Sequence, residues 1–90
     1  MSNFNTTDIF DTKELNREYI KETLKIVVAA ISNKNYDPIS QILGYIKTNN
    51  PVYIPRDNKA RERIMNINKD ELLEYLLYYF IEENKCLEKE

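Results

Sequence analysis

The stretch that decides the fold is Tyr36–Ile64, YDPISQILGYIKTNNPVYIPRDNKARERI. It holds all three prolines (Pro38, Pro51, Pro55), the single glycine (Gly44) and the arginines Arg56, Arg61 and Arg63. Its first half reads as a short helix. Asp37 can accept from the orphan N–H groups of a first turn, and Pro38 falls where a missing N–H costs nothing. Ile39, Ile42, Leu43 and Ile46 then recur at helical spacing as one apolar stripe. Gly44 lies mid-helix, where it costs ~1 kcal/mol against alanine; it reads either as tolerated strain or as a place where another backbone packs too close for a side chain. Asn50 precedes Pro51 and is pushed out of the helical region, so the helix ends at Thr48-Asn49-Asn50. Pro51-Val52-Tyr53-Ile54-Pro55 is expected to be an extended strap bounded by prolines, with Val52, Tyr53 and Ile54 pinned to the core. Asp57 offers an N-cap for a further helix. That helix carries Ala60, Ile64 and Ile67 on one face and Arg56, Lys59, Arg61 and Arg63 at its start and outer side.

Helices are expected on both sides of this stretch. Asp11 with Glu14 forms a capping-box pattern, and Phe10 with Leu15 stands at staple positions, so a first helix is expected from about Thr12. Its apolar stripe is Leu15, Tyr19, Ile20, Leu24, Val27 and Ile31, widened by Ile26 and Ala30, and Asn33-Lys34-Asn35 ends it. The last helix repeats the device, with Asn68 as cap, Glu71 closing the box and Ile67 with Leu72 as staple. Its body, Leu72 to Ile81, is apolar or aromatic almost all round, wider than a single packing face requires. A helix needing cover on two sides in so small a domain predicts a homodimer, with Tyr75, Tyr79 and Phe80 expected in its interface. The expected fold class is therefore all-α. It is a small four-helix, homodimeric domain over residues 11–84, with an extended strap, a flexible tail over residues 1–10 and a frayed C-terminus over residues 85–90.

Composition narrows the chemistry. With 90 residues, a formal charge of −2 and 42% hydrophobic content, a single folded domain is expected, without bulk attraction to nucleic acid or anionic membrane. No apolar run approaches the ~20 residues of a membrane span, and no signal-peptide pattern stands at the start. There is no histidine and one cysteine, Cys86, which fits a reducing cytoplasm. Ser-His and Cys-His nucleophile pairs, histidine-based metal sites and cysteine-ligated zinc therefore lack their residues. One glycine cannot build a phosphate loop. The expectation is no enzymatic activity, no catalytic residues, no metal and no cofactor.

The wording of Tyr36–Ile64, followed by the helix DELLEYLLYYF, resembles the IreB regulatory phosphoprotein family of Gram-positive bacteria. Tyr36, Pro38, Gln41, Ile42, Gly44, Tyr45, Pro51, Tyr53, Ile54, Pro55, Arg56, Ala60 and Arg61 fall on the family's usual pattern, GYNPINQIVGYxxSGDPAYIPRxxxAR. Two departures stand out. Thr48-Asn49-Asn50 replaces Ser-Gly-Asp, so an asparagine must supply any left-handed turn. Met65-Asn66-Ile67-Asn68 replaces an arginine-richer segment. The resemblance implies a helical homodimer without enzymatic activity, modified by a PASTA-type Ser/Thr kinase and its cognate phosphatase. It implies control of peptidoglycan synthesis and cell-wall antibiotic tolerance, in part of the family through Clp-protease degradation of the UDP-GlcNAc enolpyruvyl transferase. The implied phosphoacceptor is a tail threonine. Thr7 has an aromatic, Phe10, three residues on, as in relatives; Thr6, followed by Ile9, is the runner-up. Arg56, Lys59, Arg61 and Arg63 are the candidate partner-binding residues. The alternative from another class is a small helical nucleic-acid-binding module. Against it stand the long, proline-stiffened connection from Thr48 to Arg56 and the net acidity.

Overall fold

A computed structural model describes residues 2–87, with side chains from residue 12 onward. Four α-helices follow one another: α1 (Ser2–Asn33), α2 (Pro38–Thr48), α3 (Ala60–Met65) and α4 (Lys69–Asn84). Short 3-10 turns, Pro51–Tyr53 and Asp57–Lys59, link α2 to α3. There is no strand among the described residues.

With one glycine available, asparagine and lysine make the left-handed turns that end the helices. Asn35 (φ 67°) closes α1: its N–H donates to the Ser32 carbonyl at 2.9 Å and that of Tyr36 to Ile31 at 3.2 Å. These are the two bonds of a Schellman cap. Lys85 (φ 52°) repeats it on α4, with Lys85 N–H donating to Glu82 and Cys86 N–H to Ile81. Asn49 (φ 63°) ends α2 with a single bond from its N–H to the Tyr45 carbonyl, the simpler left-handed cap, so an asparagine does fill the expected turn. Two of the expected N-caps form: Asp37 accepts from Ser40 N–H at 2.8 Å, and Asn68 accepts from the N–H groups of Asp70 and Glu71. The Ser40 bond also holds the Asp37 carboxyl below its usual range.

The helix start expected near Thr12 lies inside α1, which runs from Ser2. Residues 2–11 hold neither proline nor glycine, so the backbone bonds continue through Asp11. The side chains of Phe10, Thr6 and Thr7 lie outside the described residues.

Two clusters make the core. In one, Val27, Ala30 and Ile31 of α1 meet Tyr45 of α2, Ile54, and Ala60 and Ile64 of α3. In the other, Ile20 of α1 meets Ile67 and Leu72, the expected staple pair of α4. Ile46 packs against both and ties them together. The C-terminal two-thirds of α1 is the spine on which everything else lies.

Several expected contacts are corrected. Leu15 is 66% exposed, whereas Thr23, which was not on the expected stripe, is fully buried. On α2 the buried face is rotated: Tyr45 is buried, Ile42 and Ile46 are half-buried, and Ile39 (77%) and Leu43 (50%) face out. The strap is not extended throughout. Asn50 and Ile54, which precede prolines, are extended, but Pro51–Tyr53 coils into a 3-10 turn capped by the Asn50 side chain. Only residues before prolines are forced out of the helical region, so Val52 and Tyr53 were free to turn. Val52 consequently points to solvent, and Ile54 alone of the three is fully buried. Asp57 does not cap α3. Asn58 (φ 57°) and Lys59 (φ 61°) are both left-handed and separate the Asp57 turn from Ala60. Asp57 faces Lys34 at 3.6 Å instead.

The close neighbour of Gly44 is not another backbone but a side chain, the Tyr53 ring. A Cβ on Gly44 would stand 2.6 Å from Tyr53 Cε1 and 2.7 Å from Cδ1. Gly44→Ala removes a helix penalty of ~1 kcal/mol but drives a methyl into that ring. The clash should prevail, with a net loss of about 1–2 kcal/mol. In a Tyr53→Ala background the same change should be neutral or stabilising. Urea denaturation of the four members of this cycle measures the coupling. A stabilised Gly44→Ala single variant would show that the ring moves freely.

Candidate functional site

Arg56, Lys59 and Arg61 come together, with Glu62 and Met65, around a surface concavity of about 340 Å³. The local backbone explains the convergence. The left-handed pair Asn58–Lys59 reverses the chain between the first 3-10 residues and α3, so side chains from both sides of the reversal meet. Arg61 is anchored: its Nε–H donates to the Ile54 carbonyl at 2.7 Å. Its terminal amino groups remain available, and a guanidinium fork suits a bidentate oxyanion. Arg56 and Lys59 are exposed. Among the described residues the ion pairs are Lys25–Glu22 and Lys34–Asp57, so none of the three cations is paired with a carboxylate. Lys34 draws off Asp57, the acid nearest Arg56 in sequence. Glu62 is the single acid on the rim, and Met65, 53% exposed, is the apolar wall.

Arg63 is not part of this group. Its guanidinium lies over the Tyr19 ring at 4.8 Å from the centroid, and its carbonyl accepts from the Tyr19 hydroxyl at 3.4 Å. Two positions apart on a helix, Arg61 and Arg63 point to nearly opposite sides. Arg63 therefore joins α3 to α1.

Tyr75, Tyr79 and Phe80 divide between the chain's own core and solvent. Tyr75 is half-buried against the Ile20–Leu72 cluster, and its ring stacks on Tyr79 with centroids 6.1 Å apart. Burial pushes its phenol up, aided by the neighbouring Tyr79 and Glu18. Tyr79 (50%) and Phe80 (59%) are exposed, beside Leu73, Leu76 and Leu77, which are also exposed. Arg17 of α1 caps Tyr78 by stacking 4.0 Å from its centroid. α4 thus buries Leu72 deeply and leaves most of its apolar surface uncovered.

Two further side chains fasten the surrounding elements. Lys69 lies 4.4 Å from the centroid of the buried Tyr45 ring and bonds the Asn49 side chain, fastening the start of α4 to the end of α2. Gln41 donates to the Tyr53 carbonyl at 3.2 Å and fixes the turn that leads to Ile54. Gln41 stood among the positions carrying the resemblance; nothing in the spacing marked Lys69. No described helix is long and apolar enough to cross a membrane, and no group of three or more potential metal ligands occurs among the described residues.

The sequence pattern of the IreB regulatory phosphoprotein matches residues 5–82, which includes the spine helix, the proline-bounded turn, the basic concavity and α4. The chain belongs to the IreB regulatory phosphoprotein family, and its role is regulatory.

Proposed function

We propose that this chain is a non-catalytic phosphorylation switch in the cytoplasm, acting as a homodimer. A PASTA-type Ser/Thr kinase and its cognate phosphatase set its state at Thr7, and that state tunes peptidoglycan synthesis. The output runs through a Clp protease that degrades the UDP-GlcNAc enolpyruvyl transferase. Membership of the family, over residues 5–82, carries this reading. The Arg56–Lys59–Arg61 concavity is its partner-binding surface, suited by charge to an acidic segment. The nucleic-acid reading has less support, because three cations and a glutamate around one concavity make no stripe that could track a phosphate backbone.

Thr6 and Thr7 fall in the first turns of α1, and terminal helical turns open at the least cost, which suits presentation to a kinase. A phosphate there adds about −1.5 to −2 charges beside Asp8 and Asp11 and lies far from the core clusters, so partner binding changes rather than the fold. Incubation with the cognate kinase and phosphopeptide mapping is the test. Label should appear on the wild type, vanish with Thr7→Ala and persist with Thr6→Ala. The reverse pattern moves the switch to Thr6, and absence of label on the wild type ends the phosphoprotein reading.

A further inference from the structure

We propose that the Arg56–Lys59–Arg61 concavity receives the phosphorylated segment around Thr7 of a second copy of the chain. This rests on Thr7 as the acceptor. The concavity then serves both as partner surface and as the seat of the phosphate, and phosphorylation regulates by competition for one site.

Chemistry on both sides matches. Three cations against Glu62 leave the concavity with an excess of positive charge, and no described carboxylate is paired with them. Arg61 is held through Nε by the Ile54 carbonyl, which leaves its terminal amino groups for two oxygens of a phosphate. The segment that follows Thr7 is Asp8-Ile9-Phe10, one further acid and two apolar residues. Met65 offers those apolar residues a wall beside the charges.

While α1 keeps its helical turns, the chain's own Thr7 stays far from the Arg56 and Lys59 end. The Lys34–Asp57 pair, 3.6 Å apart, places the concavity's Arg56 and Lys59 end beside the C-terminus of α1. Thr7 lies 27 positions earlier on that helix, ~40 Å away at 1.5 Å per residue. A second copy has no such tether.

The test uses the full unphosphorylated protein and a fluorescent peptide copying residues 2–13, made synthetically with and without phosphothreonine at position 7. Anisotropy titration should show the phosphopeptide binding about tenfold or more tightly than the unmodified one, with steeper salt dependence. Arg56→Gln combined with Lys59→Asn should remove that preference. Both side chains are exposed, and asparagine keeps the left-handed backbone at position 59, so the thermal melt should stay in place. Equal affinity for the two peptides, or a preference that survives the double substitution, overturns the proposal. Because the phosphate is installed chemically, this outcome is independent of whether the kinase modifies Thr7.

Discussion

A chain carrying Ile54→Ala is expected to lose about 2–5 kcal/mol of stability, the usual cost of emptying a fully buried isoleucine site. A domain of this length has a total of roughly 5–13 kcal/mol to lose, so the variant should sit near its unfolding midpoint at moderate temperature. The site gives little room to collapse. Ile54 is fully buried among Val27, Ala30, Ile31, Tyr45, Ala60 and Ile64, contributed by three helices. Its backbone is held as well, its N–H donating to the Pro51 carbonyl and its carbonyl accepting from Arg61. Val52, two residues earlier and 67% exposed, is the internal control: Val52→Ala should stay within about 0.5 kcal/mol of the wild type. Urea denaturation of the two variants side by side is decisive. A Val52 variant that costs as much as the Ile54 variant would mean that the segment packs as an extended strap, with more than one side chain on the core.

That contrast marks where sequence reading works and where it stops. Capping is local chemistry, and Asp37, Asn49 and Asn68 do what their types and positions dictate. Proline rules are local as well, and they hold at Asn50 and Ile54, the residues they govern. Which side of a broad apolar arc is buried is not local. On α2 the arc runs over Ile39, Ile42, Leu43, Tyr45 and Ile46, and only the presence of α1 and Ile54 selects the Ile42–Tyr45–Ile46 side. On α1 the period correctly marks Ile20, Val27 and Ile31, yet Thr23 is buried and Leu15 is not. The basic site was legible as a cluster because Arg56, Lys59 and Arg61 are close in sequence. It was not legible that Arg63, two positions beyond Arg61, turns onto Tyr19, nor that consecutive left-handed residues at Asn58 and Lys59 stand between Arg56 and Arg61 around one concavity.

The second large effect concerns α4 and the proposed homodimer. Leu77→Glu with Phe80→Glu is expected to weaken self-association by about a hundredfold or more, while leaving the monomer's helix content unchanged. Both side chains are mostly outside the chain's own core, at 63% and 59% exposure, so glutamate there breaks no internal packing. Leu73, Leu76, Tyr78 and Tyr79 are exposed around them, a continuous apolar side on a helix whose deeply buried residue is Leu72. Soluble monomers seldom leave so much contiguous apolar surface in water. Two charges placed in the middle of such a face must be desolvated on association. Tyr75 is a weaker probe, since half of its ring already serves the Ile20–Leu72 cluster and a substitution there confounds folding with assembly. Sedimentation equilibrium across a dilution series separates the two. The wild type should shift between dimer and monomer with concentration, and the double variant should stay at the 10.8 kDa monomer throughout. A wild type that remains monomeric at the highest concentration removes the dimer. A double variant that still dimerises moves the interface off α4, with the outer side of α2, where Ile39 and Leu43 are exposed, as the next face to substitute.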